Sequence, residues 1–193
     1  MRKFVKAFLL GIILVELLSG CYLFPSDKYK YKGKGFSVKF PIGWKKIKQP
    51  ADPGVIFTST FKPHSVTFIT PQEISYFNRY ADQIDQIPEA SISVYANKLS
   101  ASIWLEDEFN NILEALSKHA HILDHGQVTI DNQIADWLIY RYDEIPTITL
   151  EFYIVTDFNI FYKIIYSTHV DKFKTYRDQF EVMKASFKIE PWF

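Results

Sequence analysis

Side chains of the kinds that bind transition metals cluster in one short stretch, at His119, His121, Asp124 and His125. On one extended strand the three histidines would share a face, because successive strand residues alternate between faces. Imidazole nitrogens and a carboxylate bind zinc or copper, so the stretch could serve a metal-dependent hydrolase. The helical pattern before it ends near His119, however, and a cation is favourable at a helix C-terminus without any metal. We therefore predict that no metal binds and keep these four residues as the candidate ligands of the alternative.

Other catalytic patterns are missing from the sequence. Cys21 is the single cysteine, so no later cysteine can act as a nucleophile or a zinc ligand. There is no Gly-x-Ser-x-Gly or His-Glu-x-x-His motif, and the acidic run 106–108 lacks the spacing of a calcium loop. Seven glycines disfavour a phosphate-binding loop, and 22 basic against 22 acidic residues disfavour a nucleic-acid partner. We predict a protein without catalytic residues or a bound cofactor.

Aromatic residues are abundant, with 17 Phe, 12 Tyr and 4 Trp. Most lie in segments of regular apolar periodicity and are predicted to belong to the core. A few lie outside such segments, and they could form an exposed patch that binds a partner or lines a pocket. This predicted patch comprises Tyr76, Phe77, Tyr80, Trp192 and Phe193. The alternative is ordinary packing of loops against the sheet.

The N-terminus has the organisation of an export signal. A basic start precedes an apolar run over residues 7–15, and small residues then lead into Cys21. The tetrapeptide Leu18-Ser19-Gly20-Cys21 resembles the lipobox of bacterial lipoproteins. The resemblance implies that residues 1–20 are a signal peptide and that Cys21 carries a covalent diacylglycerol. The alternative is an uncleaved anchor helix over residues 7–24, which would contain one charge, at Glu16.

Residues 21–34 are predicted to be the lipidated cysteine and a flexible basic tether, because lysines alternate there with tyrosine and glycine. A solvated linker that begins the first strand is the other interpretation. Tyr22 replaces the aspartate associated with inner-membrane retention in Gram-negative lipoproteins. The prediction is thus an exported, lipid-anchored envelope protein, placed in the outer membrane if the cell is Gram-negative, with one globular domain over residues 35–193.

Apolar periodicity places the elements of that domain. Period-two patterns predict strands over 35–40, 44–48, 65–69, 122–130, 134–142, 147–156, 160–167 and 186–189, and a further strand over 55–62 paired with 65–69. Helical spacing predicts helices over 88–103, from 105 to about 119, and around 173–183. Residues 71–85 look polar and irregular. Strands interspersed with helices predict an α+β fold.

Two stretches of this domain resemble PsbP-like domains. They are Gly-Phe-Ser-Val-Lys-Phe-Pro-Ile-Gly-Trp-Lys-Lys over residues 35–46, and the closing segment over 176–189, which contains Ser186-Phe187 before the last strand. The resemblance implies an antiparallel sheet with helices on both faces, an αβα sandwich. It also implies a non-catalytic scaffold, since its matching residues are structural. We therefore predict a binding or assembly module with a protein partner in the envelope. The alternatives are a metal-dependent hydrolase that uses the region of His119, Asp124 and His125, and a carrier of a small apolar ligand.

Overall fold

The computed structural model describes residues 29–47, 64–79, 81–100, 104–143 and 145–192. They form a three-stranded sheet, a seven-stranded sheet, a separate two-stranded hairpin and two α-helices. The strands are β1 Lys30–Lys32, β2 Phe36–Lys39, β3 Lys45–Ile47, β4 His64–Ile69, β5 Glu73–Asn78, β6 Gln83–Pro88, β7 Ala90–Lys98, β8 His121–Ile130, β9 Gln133–Arg141, β10 Thr147–Val155, β11 Ile160–His169 and β12 Lys188–Ile189. The helices are α1 Leu105–Ser117 and α2 Phe173–Ser186.

The seven-stranded sheet carries the core. Its strand order is β3-β4-β7-β11-β10-β9-β8, and each neighbouring pair is antiparallel. In β10 every residue between the two terminal ones is buried, so side chains on both faces of this strand are covered. The smaller sheet, in the order β1-β2-β12, joins the first described residues to the last ones.

Helix α2 packs against the side of the main sheet to which Tyr166 points. The rings of Tyr166 and Phe180 lie 4.9 Å apart between centroids. Trp44, at the start of β3, meets Tyr176 edge-on at 6.0 Å, and its indole N–H donates to Gln179 Oε1 at 3.1 Å. Aromatic contacts thus hold α2, β11 and the turn before β3 together.

Helix α1 belongs to a second apolar cluster. The ring of Phe109 meets that of Tyr153 in β10 at 5.8 Å. The preceding residue, Phe152, lies in the cluster that contains α2, and neighbouring strand residues point to opposite faces. The acidic run 106–108 lies in the first turn of α1, where negative charge is favourable, so it has a structural reason.

The α+β class is confirmed, as are α1, α2 and strands β8 to β11 at close to the predicted bounds. Neither helix of the described residues is long and apolar enough to cross a bilayer. The predicted signal peptide, Cys21 and the strand predicted over residues 55–62 lie outside the described residues.

The helix predicted over residues 88–103 is wrong, because Ala90–Lys98 form β7 between β4 and β11. The helical spacing of Ile92, Tyr95 and Leu99 led to this wrong prediction because both faces of β7 are buried. With no polar face, the apolar pattern does not distinguish a period of 2 from one of 3.6. The β-branched Ile92 and Val94 fit the extended conformation.

Two further predictions need correction. Residues 71–85 are not irregular: β5 and β6 pair antiparallel, with Asp82 in the left-handed conformation in the turn between them. The predicted flexible tether over 21–34 includes ordered structure, because Lys30–Lys32 form β1 and pair with β2. The fold therefore begins before residue 35, which agrees with the alternative of a linker that begins the first strand.

Candidate functional site

A cavity of about 440 Å³ lies where hairpin β5–β6 approaches the end of α1 and the connection from β9 to β10. It is lined by Tyr76, Asn78, Arg79, His119, Tyr142, Asp143 and Ile145. Tyr76 belongs to the predicted aromatic patch and His119 to the predicted histidine group. The structure thus brings one member of each group to the same cavity.

Asp85 orders the hairpin side of this cavity. Its carboxylate accepts hydrogen bonds from Asn78 Nδ2 at 2.6 Å and from Gln83 Nε2 at 2.9 Å. Tyr76 is its cross-strand partner. Desolvation, followed by the charge of Asp85 and the hydrogen bond to it, raises the pKa of Tyr76 above its ordinary value. The Tyr76 hydroxyl therefore stays protonated at neutral pH.

Hydrogen-bond donors from three parts of the chain line the cavity. Arg79 follows β5, is exposed and forms no ion pair with the described residues. His119 follows α1, where its backbone N–H donates to Leu116 O at 2.9 Å. Tyr142 follows β9 and meets Tyr140 edge-on at 5.5 Å. A guanidinium, an imidazole and a phenol suit a ligand or partner segment that presents hydrogen-bond acceptors or carboxylates.

Phe77 and Ile84 form an exposed apolar pair on the same hairpin. They are Cα partners across β5 and β6, and they expose 57% and 70% of their surface. Because strand residues alternate, Phe77 lies on the face opposite Tyr76. An aromatic and an aliphatic side chain held together in the open are typical of an interaction surface.

The rest of the predicted aromatic patch is not gathered with these residues. Trp192 is half-buried and packs elsewhere, against Gly35, with Lys34 Nζ 5.2 Å from its ring. Tyr80 and Phe193 lie outside the described residues. The hairpin therefore retains Tyr76 and Phe77, whereas Trp192 packs against the core cluster that includes residues of α2 and of the smaller sheet.

The predicted histidine group is divided by a β-bulge. Pairing of β8 with β9 shifts register between Ile122 and Asp124, so Leu123 is an extra residue. His121 is opposite Arg141, whereas His125 is opposite Leu138, three positions away, so the two imidazoles lie on opposite faces. The parity argument for a shared face is wrong for that reason.

Each member of the group has its own surroundings. His121 Nε2 lies 2.9 Å from Asp143 Oδ1, Asp124 Oδ1 accepts the backbone N–H of His125 at 2.9 Å, and the His125 ring lies 6.5 Å from Phe109. Within the described ranges, no three His, Cys, Asp or Glu side chains are grouped closely enough to hold a metal ion.

A buried polar cluster escaped prediction. Glu151 is 3% exposed, and its carboxylate accepts hydrogen bonds from Tyr140 at 3.0 Å and from Tyr153. Lys163 Nζ lies 3.3 Å from the same carboxylate. Burial, followed by the charge of Glu151, raises the pKa of Tyr140. A glutamate inside the apolar stretch of β10 was the signal in the sequence, since a buried carboxylate needs partners.

A second cavity, of about 260 Å³, is more apolar. Aliphatic side chains contribute much of its lining, with Ile47 and Ile69 on one side and Ile87, Pro88 and Ile145 on the other. Threonines and serines of β4, β7, β10 and β11 complete it. Its chemistry suits a small apolar group.

Neither a protein-family model nor a curated protein sequence matches the chain. Solved structures do match its fold. CyanoP, the cyanobacterial PsbP of Synechocystis sp. PCC 6803, is 17% identical with a TM-score of 0.52, over 83% of this chain and 91% of that one. LpqN, which is involved in cell envelope biogenesis of Mycobacterium tuberculosis, is 13% identical with a TM-score of 0.59, over 83% and 88%. At these identities the likeness concerns the fold alone: the chain has an α+β fold of mostly antiparallel sheets that is similar to the fold of CyanoP.

Proposed function

We propose that this protein is a non-catalytic binding module of the cell envelope that captures a protein partner on hairpin β5–β6. The observation that carries the proposal is the combination of donors around the 440 Å³ cavity with the exposed pair Phe77 and Ile84 on the same hairpin. Tyrosine, arginine and phenylalanine are the residue types enriched at the centres of protein interfaces. The cavity, on the Tyr76 face of the hairpin, offers the partner polar contacts, and the apolar pair, on the opposite face, offers burial.

Two observations support the cell envelope as the location. The signal-like N-terminus with its lipobox-like tetrapeptide predicts export and acylation at Cys21. LpqN, a structural neighbour, is involved in envelope biogenesis. We further propose that the scaffold is an αβα sandwich, since α1 and α2 contact neighbouring residues, Tyr153 and Phe152, that point to opposite faces of β10.

Site-specific crosslinking tests the binding surface. A photoreactive amino acid at Phe77, in intact cells, should yield one reproducible crosslinked partner. The matched control is Phe158, which is 80% exposed in a different turn, between β10 and β11. Arg79→Ala should abolish the crosslink, and Arg177→Ala, at an exposed position of α2, should leave it intact. Equal crosslinking from both phenylalanine positions, or none from Phe77, would contradict the proposal.

Anchoring is tested separately, by metabolic labelling with a tagged fatty acid. Cys21→Ser should abolish labelling and release the protein from membranes. Fractionation of a Gram-negative host should then find the labelled protein in the outer membrane. Labelling that persists in Cys21→Ser would refute acylation at this residue.

The metal-dependent hydrolase stays as the rival function. It would need the region of His119, Asp124 and His125 to gather around an ion, against the separation imposed by the bulge at Leu123. We expect elemental analysis of the purified, untagged protein to find no stoichiometric zinc or copper. Stoichiometric metal that is lost in His125→Ala would favour the hydrolase.

A carrier of a small apolar ligand is the third candidate, and the 260 Å³ cavity favours it. Native mass spectrometry of the purified protein would detect a copurified lipid. Ile87→Asp should then expel it, whereas Ile84→Asp, on the exposed side of β6, should not.

A further inference from the structure

Charge is distributed unevenly along the chain. Residues 29–47 contain six lysines and no aspartate or glutamate, although the whole chain has 22 basic and 22 acidic residues. The other residues therefore carry 16 basic and 22 acidic side chains. All six lysines are exposed. They are Lys30, Lys32, Lys34, Lys39, Lys45 and Lys46. The first described part of the chain is thus strongly basic on an otherwise acidic protein.

Lys30 and Lys39 lie directly opposite each other in the pairing of β1 with β2. The adjacent pair is hydrogen-bonded, with Phe40 N–H donating to Tyr29 O at 2.9 Å. Hydrogen-bonded and non-hydrogen-bonded pairs alternate, so Lys30 and Lys39 form a non-hydrogen-bonded pair, in which side chains are closest. Like charges in this position repel and destabilise the sheet.

Acidic side chains do not offset this repulsion within the described residues. Lys32 lies on the same face as Lys30, and its Nζ is 3.9 Å from Glu190 Oε2. Lys30 and Lys39 form no ion pair with the described residues. Lysines on an edge strand discourage aggregation, which would explain Lys30. Lys39, however, is on β2, the middle strand of its sheet. The opposed lysines therefore weaken the fold, and protection of an edge accounts for only one of the two.

An exposed apolar residue accompanies these lysines. Ile42, in the turn after β2, exposes 45% of its surface and lies between Lys39 and Lys45 in the chain. An aliphatic side chain beside lysines can enter the headgroup boundary of a bilayer while the lysines contact anionic lipids. Tyr29, the first described residue, lies beside Lys30, and a fully extended chain from Cys21 to Tyr29 spans at most about 28 Å.

We propose that the basic surface around the opposed Lys30 and Lys39 docks on the anionic phospholipid headgroups of the membrane that holds the protein. The inference rests on the proposed lipid anchor, which keeps this surface near the bilayer. Each lysine close to an anionic leaflet strengthens binding about fivefold, and the attraction fades over a Debye length of about 8 Å at physiological salt. Docking would relieve the repulsion between Lys30 and Lys39.

Lysine footprinting on vesicles tests the docking. The acylated full-length product would be reconstituted into vesicles of phosphatidylcholine, alone or mixed with phosphatidylglycerol, and acetylated while mass spectrometry follows each lysine. On anionic vesicles at low salt, acetylation of Lys30 and Lys39 should slow at least about threefold, and high salt should remove the protection. Lys174 is the internal control. It is exposed and lies near the start of α2, about 18 Å along the helix from Ser186 at its end.

Lys30→Glu separates membrane docking from folding. An opposite charge across from Lys39 should stabilise the sheet and raise Tm, yet protection of Lys39 on anionic vesicles should fall. Lys174→Glu is the matched control and should leave protection unchanged. Equal acetylation rates on both vesicle types, or equal protection on neutral ones, would overturn the docking. Failure of the acylated chain to stay on any vesicle would instead refute the proposed anchor.

Discussion

Glu151 and Lys163 form an ion pair inside the sheet, with Lys163 Nζ 3.3 Å from Glu151 Oε1 and side-chain exposures of only 4% and 16%. Two tyrosine hydroxyls, from Tyr140 and Tyr153, donate to the same carboxylate. A buried carboxylate with this number of partners is stable as long as all of them remain.

Lys163→Met should therefore destabilise the protein strongly, because it leaves the carboxylate of Glu151 buried without its cation. Breaking one side of a buried pair typically costs about 3–5 kcal/mol. Urea unfolding at pH 7 measures the loss. The double variant with Glu151→Gln should recover most of it, since the amide removes the charge and retains an acceptor for a tyrosine. A single-variant loss below about 1 kcal/mol would show that the pair is not desolvated as described.

Asp131 connects the turn after β8 to β12. Its carboxylate accepts hydrogen bonds from Lys188 Nζ and from Ile189 N–H, both at 2.7 Å. Burial alone would raise the pKa of Asp131, but these two hydrogen bonds and the charge of Lys188 outweigh it and hold the pKa below its ordinary value. The carboxylate therefore adds stability above about pH 4, which is lost as pH falls through the lower folded value.

Asp131→Asn should lower the free energy of unfolding by about 1–2 kcal/mol at pH 7, because one charged acceptor is lost. Asparagine tolerates the left-handed backbone of this position, where φ is 47°. In urea unfolding between pH 6 and 2, the free energy of unfolding of this variant should also fall less than that of the wild type. Asp157→Asn, in an exposed turn, is the matched control and should change neither quantity. If Asp131→Asn loses as much stability between pH 6 and 2 as the wild type does, the Asp131 carboxylate is not the source of this pH dependence.

His64 predicts a second pH dependence, in a higher range. Its Nε2 lies 2.7 Å from the Tyr31 hydroxyl, and burial, followed by the charge of Lys34, holds the pKa of His64 below its ordinary value. A depressed histidine pKa gives stability that is complete above about pH 6.5 and is lost as pH falls through the folded value. We expect the wild type to lose stability as pH falls below about 6.5.

His64→Gln should lack that part of the loss, and His119→Gln, an exposed control, should retain it. NMR titration of the His64 ring gives a direct measurement. Lys34→Gln should move its pKa upward, toward the ordinary value, because one of the two causes is removed. An unchanged titration in Lys34→Gln would show that the lysine charge does not reach the ring.

A feature could be predicted when residues that are neighbours in the sequence determine it. Helix α1 and strand β10 were predicted because a run of apolar residues at one period spans the whole element. β7 was not, because burial of both its faces hides the period. The bulge at Leu123 was invisible for another reason: parity along a strand assumes that no residue is inserted, and only the pairing with β9 reveals the insertion.

The candidate cavity was harder to predict from the sequence, because it joins positions that are far apart in the chain. Tyr76 and His119 were each singled out from the sequence, but their meeting depends on hairpin β5–β6, which was predicted to be irregular. Arg79 and Tyr142 had no local signal at all. Trp192 was singled out for lack of periodicity, yet its position follows from β12, which carries it to Gly35.

The contact between Gly35 and Trp192 yields a final prediction. Gly35 has a φ of 84°, and a Cβ placed there would lie 2.4 Å from Trp192 Cε3. Its carbonyl accepts hydrogen bonds from the Tyr162 hydroxyl at 2.7 Å and from Glu190 N–H at 2.9 Å, so the backbone is held in place. Gly35→Ala should therefore combine a left-handed backbone penalty of about 1–2 kcal/mol with displacement of the tryptophan ring.

Gly43→Ala separates these two effects. Gly43 has a similar φ of 88°, but nothing lies within 4 Å of its added Cβ, so only the backbone penalty applies. Gly35→Ala should thus destabilise more than Gly43→Ala in urea unfolding. Adding Trp192→Ala to Gly35→Ala should cost less than the sum of the single losses, because the clash disappears with the ring. Equal losses at the two glycines, with additive losses in the double variant, would show that Trp192 does not pack on residue 35 in solution.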